Sequence, residues 1–194
     1  MKKQTVILII ALVLIIAAAV FSYKQLIKLN TPSDTIPLSV PENETSTAET
    51  TSETKNTAPD FAVKDSDGNT VTLSSFFGKP IVLNFWASWC GPCQSEMPDM
   101  QKVYKNYSDS VVFLFVNLTD GVRETEETAS LFITSNGYTF PVFYDVNSEA
   151  LNAYYVNSIP RTYIITADGN IAGQVTGVVS EEALSAALDE LIGG

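Results

Sequence analysis

The sequence predicts a single α/β domain that follows an N-terminal membrane segment. An uncharged apolar run covers residues 6–21, and a stretch rich in Thr, Ser, Pro and Glu comes after it. From about residue 58 onward, short apolar runs of strand length alternate with longer helix-compatible segments, a pattern typical of α/β domains. The only two cysteines of the chain, Cys90 and Cys93, fall at one boundary between a predicted strand and a predicted helix.

The N-terminal segment, residues 1–23, is predicted to be a transmembrane anchor or an uncleaved signal. As a helix, the apolar run with its two following residues rises about 27 Å, close to the roughly 30 Å hydrocarbon thickness of a bilayer. Apolar cores of signal peptides are shorter, about 7–15 residues, which favours a retained anchor. Three consecutive alanines at residues 17–19 would nevertheless suit cleavage. Lysines lie on both sides of the run, so charge alone orients it only weakly.

Residues 24–57 are predicted to form a disordered stalk, and residues 58–194 the folded domain. The stalk has few large apolar residues, so ordering it would not bury enough surface to offset the lost chain entropy. The whole chain carries 11 Lys and Arg against 22 Asp and Glu, and its net charge of −11 makes nucleic acid an unfavourable partner. It has no histidine, which excludes Ser-His-Asp and Cys-His catalysis.

The folded domain is predicted to open with a β-hairpin. Two short strands, residues 61–64 and 70–73, flank the segment 65–69 (DSDGN), in which Asp and Gly favour a tight turn. Residues 74–78 then suggest one short helical turn that ends at glycine.

The next strand and helix carry both cysteines. Residues 81–86 form a strongly apolar run, predicted to be the central strand, and residues 94–107 form a helix-compatible run. The two thiols therefore fall in the first turn of the helix, where unpaired N–H groups and the helix dipole stabilise an anion. Such sites lower the pKa of a cysteine from about 8.5 to about 3.5–7.5. Cys93 lies close enough to attack a mixed disulfide formed at Cys90.

A Cys-x-x-Cys pair alone leaves redox catalysis, a structural disulfide and half of a metal site as alternatives. Zinc needs about four ligands, and the chain offers neither a third cysteine nor a histidine. Haem attachment requires histidine after the second cysteine, but residue 94 is glutamine. A disulfide across so few residues constrains the unfolded chain little. These arguments favour redox catalysis, with no metal and no cofactor.

The remaining segments continue to alternate between strand and helix. Residues 111–116 are predicted to be a second buried strand, and residues 123–136 a helix with Glu124, Glu126 and Glu127 in its early turns. The later elements are a short strand at 141–144, a short helix at 148–155, a hairpin of strands 161–166 and 171–175, and a last helix capped by Ser180.

Residues 85–93 (FWASWCGPC) resemble the active-site signature of the thioredoxin superfamily. Glu96-Met97-Pro98 follows the second cysteine, and residues 158–165 (SIPRTYII) resemble the strand that begins at a cis-proline in that superfamily. With the N-terminal membrane segment, these motifs are similar to the membrane-anchored TlpA/ResA-like thiol–disulfide oxidoreductases. The resemblance covers about residues 58–194. It implies a thioredoxin-like fold, with a central mixed sheet flanked by helices and a strand-helix insertion formed by the predicted helix 123–136 and strand 141–144.

The resemblance also implies catalytic roles for individual residues. Cys90 attacks a disulfide, and Cys93 resolves the mixed intermediate. Glu96 lies three residues beyond Cys93, on the same helical face, and assists proton transfer. It takes the place of a buried aspartate that cytoplasmic thioredoxins carry at the position of Asn84. The alternative for Glu96 is a solvated charge on the helix surface.

The substrate is expected to bind beside the cysteines, against a cis-Pro160. The backbone of Ile159 would then pair with an extended peptide, as in strand addition. Arg161 replaces the threonine that is common after this proline, and it either biases the charge of the site or is an exposed edge residue. For Trp86 and Trp89, packing around the site and packing in the core are both open. The predicted substrate-binding residues are Trp89, Gly91, Pro92, Ile159 and Pro160.

The resemblance favours a reductase of protein disulfides on the extracytoplasmic side of the cell membrane. Its expected partners are exported proteins, for example the thiols of apocytochrome c, and an integral-membrane thiol carrier that donates electrons. A thiol oxidase or isomerase is the alternative enzyme. A tethered peptide-binding module with a structural disulfide is the alternative from another class. A peroxidase is not favoured, because the sequence has no peroxidatic Thr-x-x-Cys pattern.

Overall fold

A mixed β-sheet of seven strands is the centre of the part of the chain that the structure, a computed structural model, describes: residues 56–193. The predicted anchor, residues 1–23, and nearly all of the predicted stalk lie outside this part. Within residues 56–193, no helix has the length and the hydropathy that crossing a membrane requires.

The strands include a parallel centre and antiparallel edges. Across the sheet their order is β2-β1-β5-β4-β3-β6-β7. β3 pairs in parallel with β4, and β4 with β5, while the other neighbouring pairs are antiparallel. Their bounds are β1 Ala62–Lys64, β2 Thr70–Thr72, β3 Ile81–Trp86, β4 Val112–Asn117, β5 Val142–Tyr144, β6 Arg161–Ile165 and β7 Ile171–Thr176.

Helices cover both faces of the sheet. One apolar cluster joins α1, α2 and α4 to one face, and a second joins α3, a 3₁₀ helix and the β1–β2 hairpin to the other face. The bounds are α1 Gly91–Tyr107, α2 Glu126–Ser135, α3 Glu149–Ala153, α4 Glu181–Gly193 and the 3₁₀ helix Leu73–Phe76. The predicted mixed sheet flanked by helices is therefore confirmed.

The central strand β3 is buried along its whole length. Because side chains alternate along a strand, its two faces contribute to different clusters. Val82 and Trp86 pack in the α1 cluster, whereas Leu83 and Phe85 pack in the opposite one. Asn84 lies between Val82 and Trp86 on the face towards α1. A polar side chain thus lies in the middle of the sheet, below the helix that carries the cysteines.

β3 is found with its predicted bounds, and the ends of the other predicted elements shift by at most three residues. The shift that matters for function is that of α2. The helix was predicted from residue 123, but it begins at Glu126. Thr125 is extended and caps the helix, since its hydroxyl accepts from the N–H of Thr128 while the Thr128 hydroxyl accepts from the N–H of Thr125. Arg123 and Glu124 therefore belong to the preceding loop.

Packing of α4 on the sheet is expected to depend on Leu188, which is fully buried, whereas Leu131 on α2 is 63% exposed. Leu188→Ala should lower the free energy of unfolding by about 2–5 kcal/mol, because it leaves a cavity in the core. Leu131→Ala, the matched control, should change it by less than about 0.5 kcal/mol. Guanidinium denaturation of the oxidised protein measures both. Equal losses in the two variants would contradict the burial of Leu188 on α4.

Candidate active site

Cys90 and Cys93 are joined by a disulfide at the start of α1. The sequence placed Cys90 in the first helical turn, but it is the N-cap residue, one position before that turn. Its Sγ accepts a hydrogen bond of 3.2 Å from the N–H of Cys93. Cys93 is fully buried, whereas 5% of Cys90 is exposed, so an incoming partner reaches Cys90 first. An N–H group and the positive end of the helix dipole thus face the accessible sulfur.

The surface beside the disulfide is open. Gly91 and Pro92 are the first two residues of α1, and both are exposed. A Cβ atom built on Gly91 would meet nothing within 4 Å, so this position leaves space for a partner. Proline at the second helical position costs no hydrogen bond, because that N–H has no acceptor within a helix.

The loop before β6 forms the other side of the site. The peptide bond between Ile159 and Pro160 is cis, as the resemblance implies. The carbonyl oxygen of Ile159 lies 3.7 Å from the Sγ of Cys90. The carbonyl of Pro160 accepts a hydrogen bond of 2.9 Å from the N–H of Gly177, which ties the loop to the end of β7. As predicted, the structure brings Ile159 and Pro160 beside Cys90, although they lie about 70 positions further along the sequence.

Glu96 is fully buried below the cysteines. Its Oε1 accepts a hydrogen bond of 2.9 Å from the amide of Asn84, and its Oε2 accepts one of 3.1 Å from the N–H of Val179. Burial raises the pKa of Glu96 to about 7, although the two hydrogen bonds partly oppose this rise. Glu96 is therefore a buried group able to exchange a proton near neutral pH, and the surface-charge alternative is wrong.

Asn84 connects Glu96 to the neighbouring strand. Its amide nitrogen also donates to the hydroxyl of Thr162 on β6, at 3.0 Å. Its carbonyl oxygen is buried and has no hydrogen-bond partner among the described residues. Because an amide can rotate to exchange its donor and its acceptor, Asn84 is able to bond either the ionised or the protonated form of Glu96.

Glu124 belongs to the site, although the sequence indicated only a residue in the early turns of a helix. It is fully buried in the loop before α2. Its Oε1 accepts from the N–H of Ser88 at 2.8 Å and from the amide of Asn117 at 2.6 Å, and its Oε2 accepts from the Ser88 hydroxyl at 2.7 Å. Glu124 therefore holds the turn that leads to Cys90. No local pattern marks this role, because Ser88 and Asn117 are distant in sequence.

The two tryptophans have different environments. Trp86, the last residue of β3, is completely buried and lies near Phe132 of α2, so it is a core residue. Trp89 lies beyond the strand and is 42% exposed, next to Cys90. The guanidinium carbon of Arg123 is 3.6 Å from the centre of the Trp89 ring. Trp89 is thus part of the surface around the disulfide.

Arg161 does not face the cysteines. It lies two residues before Tyr163 in β6, and the two side chains share the sheet face opposite α1. Its guanidinium donates to the side-chain carbonyl of Gln174 at 2.9 Å. Arg161 is half-buried, and β6 is an inner strand between β3 and β7, so Arg161 is not the exposed edge residue of the second alternative. Within residues 56–193, no group of three or more His, Cys, Asp or Glu side chains is placed to hold a metal ion.

Comparisons with known proteins agree with this geometry. Residues 54–174 match the AhpC/TSA family. Thiol-disulfide oxidoreductase ResA of Geobacillus kaustophilus is 37% identical over 136 residues, which are 70% of this chain and 76% of that protein. The crystal structure of StoA from Bacillus subtilis, 30% identical, covers 68% of this chain and 97% of its own with a TM-score of 0.59. That of the exposed lipoprotein thioredoxin Etrx1 of Streptococcus pneumoniae, 32% identical, covers 68% and 99% with a TM-score of 0.58.

A mixed sheet whose central strand leads into a Cys-x-x-Cys helix, beside a cis-proline, is the arrangement of a thioredoxin-like thiol–disulfide oxidoreductase. The chain is an enzyme of this class. It belongs to the AhpC/TSA family. Within the thioredoxin-like proteins, its similarity to the ResA relatives makes it a thiol–disulfide oxidoreductase of the ResA type.

The raised pKa of Glu96 makes the stability of the oxidised protein depend on pH. The folded state holds the Glu96 proton up to about pH 7, whereas the usual pKa is 4.5. The folded state therefore binds more protons between these values, and the free energy of unfolding falls by about 3 kcal/mol as pH rises through this window. Glu96→Gln should remove this part of the slope. Denaturation from pH 5 to pH 8 measures it.

The control for this experiment is Glu182→Gln, at an exposed position in the first turn of α4. It also removes one acidic charge, so it corrects for the change in net charge, and it should keep the slope of the wild-type protein. An unchanged slope in Glu96→Gln would show that the buried carboxyl keeps an ordinary pKa.

Proposed function

We propose that this chain is a reductase of protein disulfides that works on the extracytoplasmic side of the cell membrane. The observation that carries the proposal is the position of the Cys90 sulfur. It accepts the N–H of Cys93 at the start of α1 and lies 3.7 Å from the Ile159 carbonyl. One side of this sulfur thus favours a thiolate, and the other offers peptide backbone to a substrate.

The reaction starts from the reduced enzyme. The Cys90 thiolate attacks one sulfur of a substrate disulfide, which breaks that bond and releases one substrate thiolate. Cys93 then loses its proton and attacks the Cys90 sulfur of the mixed disulfide. The second substrate thiolate leaves, and the Cys90–Cys93 disulfide forms. Two electrons from another dithiol, proposed to be an integral-membrane thiol carrier, return the enzyme to its reduced state.

Glu96 is proposed to take up the proton that Cys93 loses. Both side chains are fully buried, and they lie one helical turn apart on α1. A general base is most effective when its pKa lies near the working pH, and the pKa of Glu96 is about 7. Asn84 positions the carboxyl from below, as its hydrogen bond to Oε1 indicates.

The substrate is proposed to be an extended peptide that crosses Trp89, Gly91 and Pro92 and pairs with the backbone of Ile159 beside Pro160. All of these residues except Pro160 are at least partly exposed. Main-chain pairing of this kind recognises many sequences, which suits an enzyme for several exported proteins. Apocytochrome c is one such candidate.

The proposed location has two supports. The apolar run of residues 6–21 is long enough to anchor the chain, with residues 24–57 as a stalk. In addition, a similar solved protein is described as an exposed lipoprotein thioredoxin. A membrane-tethered reductase would act on exported disulfides in a compartment that is otherwise oxidising.

The order of attack can be tested by trapping the intermediate. In Cys93→Ser the resolving thiol is missing, so Cys90 should accumulate a covalent adduct with a disulfide-containing protein. Cys90→Ser, the matched control, should form almost none, because its remaining thiol is buried. Non-reducing electrophoresis of the full chain with oxidised substrate detects the adducts. Stronger trapping in Cys90→Ser would reverse the two roles.

The direction of exchange can be tested through the reduction potential of the Cys90–Cys93 pair. Equilibration against defined thiol buffers should give about −270 mV, as expected for a reductase. A potential of about −120 to −180 mV would instead assign an oxidase or isomerase. A folded protein whose disulfide did not equilibrate with thiols would be a binding module with a structural bridge.

A further inference from the structure

The positively charged side chain of Arg123 lies at the edge of the active site. The chain has two arginines, and Arg123 stacks on Trp89, the residue directly before Cys90, at 3.6 Å from the ring centre. Arg123 is exposed, and the Trp89 ring is 42% exposed. A peptide that reaches Cys90 across Trp89 would therefore meet the Arg123 guanidinium.

The loop that carries Arg123 is fixed on both sides. Oδ1 of Asp120 accepts hydrogen bonds from the N–H groups of Val122, Arg123 and Glu124 at 2.8, 2.7 and 2.9 Å. On the other side of Arg123, buried Glu124 accepts from both the N–H and the hydroxyl of Ser88. The position of Arg123 is thus set before any substrate binds, which lowers the entropy cost of using it.

The guanidinium has unused donors. Among residues 56–193, the ion pairs formed are those of Lys102 with Asp99 and Glu181. Arg123 attracts the Asp120 carboxylate electrostatically, but the two side chains form no ion pair. A guanidinium that stacks on an aromatic ring keeps its N–H groups free in its own plane. Those groups fit a carboxylate, which can accept two parallel hydrogen bonds from one guanidinium.

We propose that Arg123, stacked on Trp89, recognises an acidic side chain close to the reacting cysteine of the substrate. The proposal rests on the function proposed above and names a substrate class for the same site. The net charge of −11, with Glu126 and Glu127 near the loop, repels acidic peptides at long range. A preference for an acidic peptide would therefore have to come from a close contact, and Arg123 is placed to make it.

The test compares disulfide-bonded synthetic peptides that differ at one residue beside the cysteine, Asp or Asn, on either side of it. With the full-length reduced enzyme, kcat/KM for the Asp peptide should exceed that for the Asn peptide by about three- to fivefold at one position. Arg123→Gln should abolish this ratio. Arg123→Lys keeps the charge but not the planar fork and should retain part of it.

The matched control is Lys105→Gln, which removes the same charge from the other end of α1. It should leave the Asp-to-Asn ratio unchanged. A ratio of one at both positions, or a ratio that survives in Arg123→Gln, would overturn the inference while leaving the reductase proposal intact. An equal fall in kcat/KM for the Asp and the Asn peptides in Arg123→Gln would also overturn the inference. Arg123 would then affect the reactivity of the cysteines and not the recognition of an acidic side chain. Failure of the wild-type enzyme on every peptide would instead reject the proposed function.

Discussion

The site depends on the way β3 passes into α1. β3 is buried on both faces, so its register with its neighbours is fixed, and it delivers Cys90 to the end of the sheet. On one side Phe85 pairs with Arg161, which places the cis-Pro160 loop against this end of the strand. On the other side Trp86 pairs with Asn117, and the loop after β4 returns Glu124 to the turn before Cys90. Three adjacent strand ends therefore form one site.

Two fully buried glutamates show how hydrogen bonding assigns different tasks to one residue type. Glu124 accepts three hydrogen bonds, two of them from Ser88, and so uses both oxygens to fix a turn. Glu96 accepts only two, from Asn84 and Val179, which do not outweigh its burial, and its pKa rises to about 7. The hydrogen bonds of Glu124 suit a residue with a purely structural role. Those of Glu96 leave its pKa near neutral, which the proton transfer proposed for it requires.

The sequence predicts what depends on local pattern. β3 was predicted with its observed bounds because its continuous apolar run has the length of a strand and lies between turn residues. The helical spacing of Cys93 and Glu96 likewise placed them on one face, but burial of Glu96 depends on Asn84 and the distant Val179. The role of Glu124 was missed for the same reason. Contacts between residues far apart in sequence decide which polar groups become buried, and a single sequence does not show them.

The two charge-bearing features near Cys90 act at different points of the reaction. The N–H of Cys93 contacts the sulfur itself, at 3.2 Å, so the start of α1 is the group that stabilises a thiolate there. Arg123 contacts the ring of Trp89 and faces the surface, so its interaction is with whatever binds across that ring. Stabilisation of the Cys90 thiolate therefore derives from the backbone, whereas the proposed selectivity derives from one exposed loop. This separation allows the specificity of such an enzyme to change while its chemistry stays the same.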